Sequence, residues 1–241
     1  MHELSTWQDV ADATVGDPMS VWAAGTLGTG GRAWAHAGAT LVAAPALSLH
    51  DRAVVTGPVD AVAALVRHAH AELGPRFRPY GDPGLITGLV RRLPHLTLRT
   101  PFGWMDTRTA PKSDAPAGWL TDADLPDAAA LLDRVYPSSY ARPGTPGVRR
   151  WAGIRDDTGR LVATGADAWS TPTVGLISGV VTDPAARGTG LGSRLCAFLI
   201  RTLLAEHGRV ALMVDDWNTA AIRLYERLGM RRRPVVACAA R

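Results

Sequence analysis

The sequence predicts an α/β or α+β protein in which helices flank a mixed central sheet. Predicted strands and helices alternate along most of the 241 residues, which is the order found in such folds. The hydrophobic fraction of 46% and the charged fraction of 20% are ordinary for a globular chain with a sizeable core. Residues 106–118 are polar, rich in Pro and without periodicity, and therefore predict a linker. We expect an N-terminal α/β domain over residues 1–105 and a second domain over residues 119–241.

In the first domain, residues 52–56 are typical of a strand, and Pro58 opens a predicted helix that runs through Leu73. A second strand over 76–80 and a second helix over 83–93 are expected to follow. The run Gly28-Thr-Gly-Gly31 precedes a predicted strand rather than a helix, so we interpret it as a flexible turn and not as a phosphate site.

The second domain has a more regular pattern. Thr121 and Asp124 resemble a capping box that opens a helix over 125–135. A hairpin is expected around Asp156-Asp-Thr-Gly159, with strands over 149–155 and 161–168. A buried strand over 174–182, a helix from about 190, a strand over 209–214 and a helix over 219–228 complete the order.

A glycine turn follows the strand that ends near residue 182. It reads Arg187-Gly188-Thr189-Gly190-Leu191-Gly192. Glycines allow the chain to turn sharply, so the backbone N–H groups of the turn can approach a ligand. Because a helix starts here, its unpaired N–H groups and dipole favour a phosphate or pyrophosphate. The turn therefore predicts an anion site.

Two other phosphate motifs are excluded. A P-loop needs Gly-Lys-Ser/Thr after its glycines, and this turn contains no Lys. A dinucleotide fold needs a second nucleotide-binding half, for which the chain leaves no room before residue 241.

The turn, with Val181-Thr-Asp-Pro184 ahead of it and the segment from Asn218 to Tyr225 behind it, resembles the GNAT superfamily of acyl-CoA N-acyltransferases. The resemblance covers about half the chain and implies a GNAT sheet with acetyl-CoA, or another short acyl-CoA, as cofactor and no metal. It further implies that the first domain is a smaller, degenerate GNAT-like domain without coenzyme, as in the glycine N-acyltransferase-like branch. The residues that it assigns to the coenzyme are Val180, Val181, Thr182, Arg187, Gly188, Thr189, Gly190, Leu191, Gly192 and Asn218.

By the same resemblance Tyr225 protonates the departing thiolate. A phenol, whose ordinary pKa is about 10, is protonated at neutral pH and can act as such an acid. Each assignment has a structural alternative, because Asn218 is also well placed as a helix cap and Tyr225 as a core aromatic.

The acceptor is expected to be a primary amine of a small molecule. The loop after the first helix of the GNAT domain offers Tyr136, Ser138 and Tyr140 for an acceptor pocket. Asp167 and Trp169 lie on the neighbouring hairpin strand, although a core position is an equal reading for Trp169. Many relatives carry a Glu on the strand before the glycine turn, and this chain has none there. We therefore expect a water held by Ser178 to take the proton, with Asp167 as the outside candidate.

Other properties narrow the function. The N-terminus lacks a signal-peptide pattern and no apolar run approaches a membrane span, so we expect a cytoplasmic protein that does not bind membranes. Cys196 and Cys238 are too far apart to suggest a metal knuckle and are expected to be reduced. The run Arg231-Arg232-Arg233 is interpreted as a solvated face rather than a nucleic-acid site. We expect a monomer or homodimer.

Two rival functions remain open at this point. A non-catalytic acyl-CoA sensor or scaffold is favoured by the missing Glu, and an acyl-CoA hydrolase or decarboxylase would use the same cofactor site.

Overall fold

The computed structural model describes residues 1–112 and 117–241. It consists of two compact units, of which the first comprises Met1–Gly103 and Arg233–Arg241 and the second Trp104–Arg232. Part of the predicted linker, residues 113–116, lies outside the described residues. The first two residues of the predicted linker, Asp106 and Thr107, belong to the end of a strand instead.

The first unit contains a mixed sheet with the strand order β1-β2-β3-β4-β5-β13, and β6 pairs with β13. The β4–β5 pair is parallel, and the other neighbours are antiparallel. The strands are β1 His2–Leu4, β2 Arg32–His36, β3 Ala39–Leu47, β4 His50–Thr56, β5 Arg78–Gly81, β6 Leu96–Leu98 and β13 Arg231–Ala240; the helices are α1 Trp7–Ala13, α2 Pro18–Ala24, α3 Val59–Leu73 and α4 Pro83–Arg92.

The core of the first unit lies between this sheet and helices α3 and α4. Leu65, Ile86 and Leu89 are completely buried against apolar side chains of β3, β4 and β13. Since β13 pairs with β5 and β6, the end of the chain contributes to this core. Arg233 on β13 also forms an ion pair with Asp17, the N-cap of α2.

The second unit contains the sheet order β7-β12-β11-β10-β9-β8, in which β11 and β12 are parallel. The hairpin of β9 and β10 and the pair of β10 and β11 are antiparallel. The mixed sheet with flanking helices confirms the predicted fold class. The strands are β7 Phe102–Thr107, β8 Gly118–Trp119, β9 Val148–Arg155, β10 Leu161–Ala168, β11 Gly175–Thr182 and β12 Val210–Asp215; the helices are α5 Leu125–Val135, α6 Leu191–His207 and α7 Thr219–Arg227.

Helix α6 is the centre of the second core. Its side chains at three- and four-residue spacing, including Leu195, Leu199 and Leu203, are fully buried against the sheet. Tyr225 and Leu228 close the same core from the side of α7. This packing holds the start of α6 beside the end of β11.

Both cysteines are buried and free, as expected from their spacing. Among the residues that the structure describes, no helix has the length and apolarity that a bilayer crossing requires.

Gly57 links β4 to α3. Both its backbone conformation and the atoms around it exclude a side chain at this position. Its φ is +105°, and an added Cβ would lie 2.4 Å from the carbonyl oxygen of Gly38 and 2.6 Å from Cα of Ala39. Gly57→Ala should therefore lower the free energy of unfolding by roughly 3 kcal/mol, from backbone strain and overpacking together.

The matched control is Gly16→Ala, because Gly16 has a φ of +72° and no atom within 4 Å of an added Cβ. Its loss should be about 1–2 kcal/mol, from the left-handed conformation alone. Denaturant unfolding of both variants measures the two losses, and equal values would contradict the steric part of this prediction.

Candidate active site

The glycine turn lies between the end of β11 and the start of α6. Gly188 has a φ of +81° and Gly190, the N-cap of α6, a φ of +82°. An added Cβ at either position would meet no atom within 4 Å, so the surface of the turn is open. Glycine is needed here for backbone conformation, and its lack of a side chain leaves room for a ligand.

The backbone N–H groups of this turn are unpaired in the described part of the chain. Within residues 1–112 and 117–241, no acceptor bonds the backbone N–H groups of residues 188–193. The turn is held by other bonds: Thr189 Oγ1 donates to the carbonyl of Ala186 at 2.7 Å, and Arg187 Nε to that of Thr182 at 3.3 Å. Unpaired donors at the positive end of a helix dipole form an anion site.

A cavity of about 390 Å³ adjoins the turn. It lies between the β9–β10 hairpin turn and the first turn of α6, with Ala186 and Leu191 in its wall. Arg155 and Arg160, which also line it, form ion pairs with acidic residues. Arg194 lines it too, and its guanidinium has no hydrogen-bond or ion-pair partner within the described part of the chain. The carboxylate of Asp157, also in the lining, is unpaired there as well, so the cavity holds one free charge of each sign and the anion-binding donors are the N–H groups of the turn.

Strands β11 and β12 separate next to the turn. They pair only from Gly175 with Val210 to Ile177 with Leu212, although β11 continues to Thr182. Beyond Ile177 the described residues show no further pairing between the two strands. This leaves an open edge of β11 at residues 178–182, whose backbone polar groups on that side can bind a ligand.

A β-bulge lies at the same place. The β10–β11 register jumps from Thr164 opposite Val181 to Ala166 opposite Ser178, so that Gly179 and Val180 face a single residue. Gly179 has a φ of +62°, and an added Cβ would lie 2.8 Å from Cη2 of Trp151. The sequence pattern did not predict this bulge, although a glycine inside a strand is its usual signal.

Asn218 and Tyr225 are positioned by α7. The side-chain oxygen of Asn218 accepts from the backbone N–H of Ala221 at 3.2 Å, so the capping role is present. Tyr225 is 7% exposed and lies beside the Cys196 thiol of α6. Burial, and then Cys196, raise the pKa of Tyr225 well above its ordinary value. The phenol therefore keeps its proton throughout the neutral range.

The loop after α5 carries the three predicted acceptor residues. Tyr136, Ser138 and Tyr140 are all exposed. Burial of part of its ring raises the pKa of Tyr136, and the charges of Asp215 and Tyr140 raise it further. The loop thus lies near the end of β12, on which Asp215 is the last residue.

Asp167 and Trp169 are both buried and held by contacts within the protein. Asp167 is fully buried and is held by Arg150 Nε at 3.2 Å, by Arg149 at 3.4 Å and by the Ser170 hydroxyl. Trp169 is 6% exposed and donates from its indole to the carbonyl of Pro146 at 3.1 Å. The structure thus places Asp167 in an ion network and Trp169 against a loop, and their place at an acceptor surface stays a prediction.

The ion network continues onto the end of α6. Glu206 and His207 lie close enough to Asp167 for the three to share a metal ion. However, Arg150 binds Glu206 at 2.5 Å as well as Asp167, and its guanidinium stacks 3.9 Å from the ring of Trp119. Both carboxylates are therefore neutralised by side chains that are already present.

Comparison with known proteins agrees with this geometry. The sequence model of the Acetyltransferase (GNAT) family matches residues 113–230. A mycothiol acetyltransferase of Salinispora arenicola is 33% identical over 140 residues, which cover 54% of this chain and 40% of that protein. Another of Salinispora tropica is 30% identical over 214 residues, covering 78% and 64%. The chain thus spans between 40% and 64% of the length of these relatives.

Solved structures show the same fold. A GCN5-related N-acetyltransferase from Kribbella flavida has a TM-score of 0.54 at 21% identity, covering 87% of this chain and 89% of its own. A GCN5-related N-acetyltransferase from Sphaerobacter thermophilus has a TM-score of 0.53 at 18% identity, covering 84% and 80%. Through residues 113–230, which lie within the second unit, the chain belongs to the GNAT acetyltransferase family.

Proposed function

We propose that the protein is an N-acyltransferase that moves a short acyl group, most simply acetyl, from acyl-CoA to a primary amine of a small molecule. The observation that carries the proposal is the row of unpaired N–H groups over residues 188–193 at the start of α6, next to the open edge of β11. The N–H groups of the turn can bind a pyrophosphate and the open strand edge an extended arm with amide groups, and these are adjoining parts of coenzyme A.

The coenzyme contacts follow from this arrangement. The pyrophosphate lies on the turn from Arg187 to Gly192, and the pantetheine arm extends along the backbone of Val180, Val181 and Thr182. Asn218 contacts the arm through its amide nitrogen, since its side-chain oxygen caps α7.

The reaction is a direct attack. The amine attacks the thioester carbonyl, whose developing negative charge is stabilised by a backbone N–H of the Val180–Thr182 segment. The C–S bond then breaks, and Tyr225 gives its proton to the departing thiolate. Ser178, half-buried on β11, holds a water beside the attacking amine, and this water takes the proton that the amine loses as the C–N bond forms.

The relatives suggest a small acceptor. They are named mycothiol acetyltransferases, and this name points to a small-molecule acceptor for those relatives. The exposed rings of Tyr136 and Tyr140, with Ser138 between them, form a surface that suits a small polar acceptor in the present chain.

A non-catalytic acyl-CoA sensor is the second candidate, because β11, Gly175–Thr182, contains no acidic residue to accept a proton. Thiol release from acetyl-CoA, measured with and without primary amines, separates the functions. Release that depends on an amine indicates a transferase, and release without amine a thioester hydrolase. Binding without any release indicates a sensor.

Gly190→Val tests the coenzyme site. A β-branched side chain at the N-cap of α6 projects into the open space above the turn and should weaken coenzyme A binding at least about tenfold, the equivalent of losing one or two hydrogen bonds to the pyrophosphate. Isothermal calorimetry measures the affinity. Gly229→Val is the matched control, because Gly229 has a φ of +86° and equally open surroundings. Unchanged affinity in a folded Gly190→Val variant would count against the site.

One coenzyme A per chain is expected at saturation. In the first unit, the first turn of α3 contains the carboxylate of Asp60, and the start of α4 is occupied by the Asp82 carboxylate, which accepts from Gly84 and Leu85. The starts of α1 and α2 likewise carry Asp9 and Asp17. Because a carboxylate at each helix start repels an anion, we expect none of the four to hold a pyrophosphate. A calorimetric stoichiometry near two would refute this prediction.

Tyr225→Phe should lower turnover by roughly 10²–10⁴-fold, the usual contribution of a general acid, while coenzyme affinity changes little. The ring and its packing remain, so the free energy of unfolding should fall by no more than about 1 kcal/mol. Tyr80→Phe is the control, because it removes a buried hydroxyl from the first unit that, in the described residues, has no partner. Full activity of Tyr225→Phe, with chemistry rate-limiting, would identify Tyr225 as a core aromatic only.

A further inference from the structure

Asp215 ends strand β12 on the face of the sheet that is turned away from α6. Val210, Leu212 and Val214 belong to the α6 core. Because successive side chains of a strand alternate between faces, Asp215 lies on the opposite face. It is exposed there, at the level where β12 has already separated from β11.

Ser178 and the loop after α5 lie on the same face. Ile177 packs into the α6 core, so its neighbour Ser178 has the opposite orientation. At the bulge, Gly179 faces Ala141 of the loop, with 3.2 Å between an added Cβ and that of Ala141. Tyr136 of this loop is close enough to Asp215 to be affected by its charge. The three groups therefore surround one end of the open edge.

The neighbouring carboxylates are already neutralised. Asp133 binds Arg142, and Asp216 binds Arg232. Asp167 is held by two arginines on the other face. In contrast, the carboxylate of Asp215 has no hydrogen-bond or ion-pair partner within the described residues. The carboxylate of Asp215 can therefore bind a cation at this edge.

We propose that Asp215 binds the ammonium group of the acceptor and takes the proton that this group must lose before it attacks. The inference rests on the proposed transferase function and replaces the acid that β11 lacks. The ammonium proton passes to the carboxylate, directly or through the water at Ser178, and from there to solvent. The freed lone pair forms the C–N bond, the C–S bond breaks, and the thiolate takes the proton of Tyr225. Tyr136 contributes its ring to the cation site.

The titratable group that lies within reach of the Asp215 charge is Tyr136 of the loop, which Tyr140 also approaches. Asp133 at the end of α5 is paired with Arg142 of the loop, and Asp216, next to Asp215, is paired with Arg232. Each of these two pairs carries no net charge, so the unpaired carboxylate of Asp215 is the group that attracts a bound ammonium.

The test compares Asp215→Asn with Asp216→Asn, an adjacent change that removes the same charge but not the proposed site. Thiol release from acetyl-CoA is followed with glucosamine, tyramine and spermidine as acceptors. For the best acceptor, kcat/KM should fall by roughly 10²–10³-fold in Asp215→Asn and by less than about twofold in Asp216→Asn. Coenzyme A affinity should be unchanged in both.

The pH profile distinguishes a proton acceptor from a structural residue. Without Asp215 the enzyme must use free amine from solution. The ratio of wild-type to Asp215→Asn kcat/KM should therefore shrink about tenfold for each unit of pH above 7, up to the pKa of the acceptor's own amine. A deficit that is constant with pH, or an active Asp215→Asn, would overturn this inference alone. If Asp215→Asn does not fold, Asp215→Glu and Asp215→Ser give the same comparison, with Glu expected to retain the profile and Ser to lose it.

A different result would overturn the proposed transferase function itself. Wild-type protein that binds coenzyme A but releases no thiol with any of the three amines would overturn the transferase assignment, and the role of Asp215 with it. Wild-type turnover that is insensitive to Asp215 leaves the transferase standing and removes only this residue from the mechanism.

Discussion

The separation of β11 from β12 is the constraint on which the rest of the second domain depends. Two parallel strands that pair over only three positions leave the remaining backbone groups of β11 without a ladder partner on that side. A buried polar group left unpaired costs about 1–3 kcal/mol, so an edge of this kind needs water or a ligand. The bulge at Gly179 turns the strand where pairing stops, and only glycine fits against Trp151 there. The opening is thus a consequence of backbone geometry rather than of any one polar side chain.

Helix α6 keeps this opening in place because it is fixed at both ends. Its first turn follows the glycine turn directly, and Gly192 lies next to Thr182, with 3.4 Å between an added Cβ and the Thr182 hydroxyl. Its last turn joins Glu206 to Arg150, which also binds the buried Asp167. A buried charge pair of this type is costly to break, since removal of one partner leaves the other charge unpaired. Asp167 therefore matters for the position of the anion site although it is remote from it.

The sequence was sufficient for the elements whose signals are local. The helices α5 and α6 and the hairpin of β9 and β10 were expected within about one residue of their bounds, because caps, glycines and apolar spacing mark their ends. The strand β13 could not be assigned, since its pairing with β5 depends on contacts between distant parts of the chain. Asp167 illustrates the same limit for the site: its alternation on β10 was visible, but its two arginine partners became apparent only in three dimensions. The short helices α1 and α2 were missed because seven residues carry too little periodicity.

The two faces of the sheet also differ in the charge that they present at the opening. The glycine turn and Arg194 lie on the side of α6, where unpaired N–H groups and a free guanidinium attract anions. Asp215 lies on the opposite face and attracts cations. In the proposed reaction, a polyanionic coenzyme and a cationic acceptor are thus drawn to different faces and meet where β11 and β12 separate. Both strands border this gap, so in that reaction an acid on β12 can receive the acceptor's proton in place of an acid on β11.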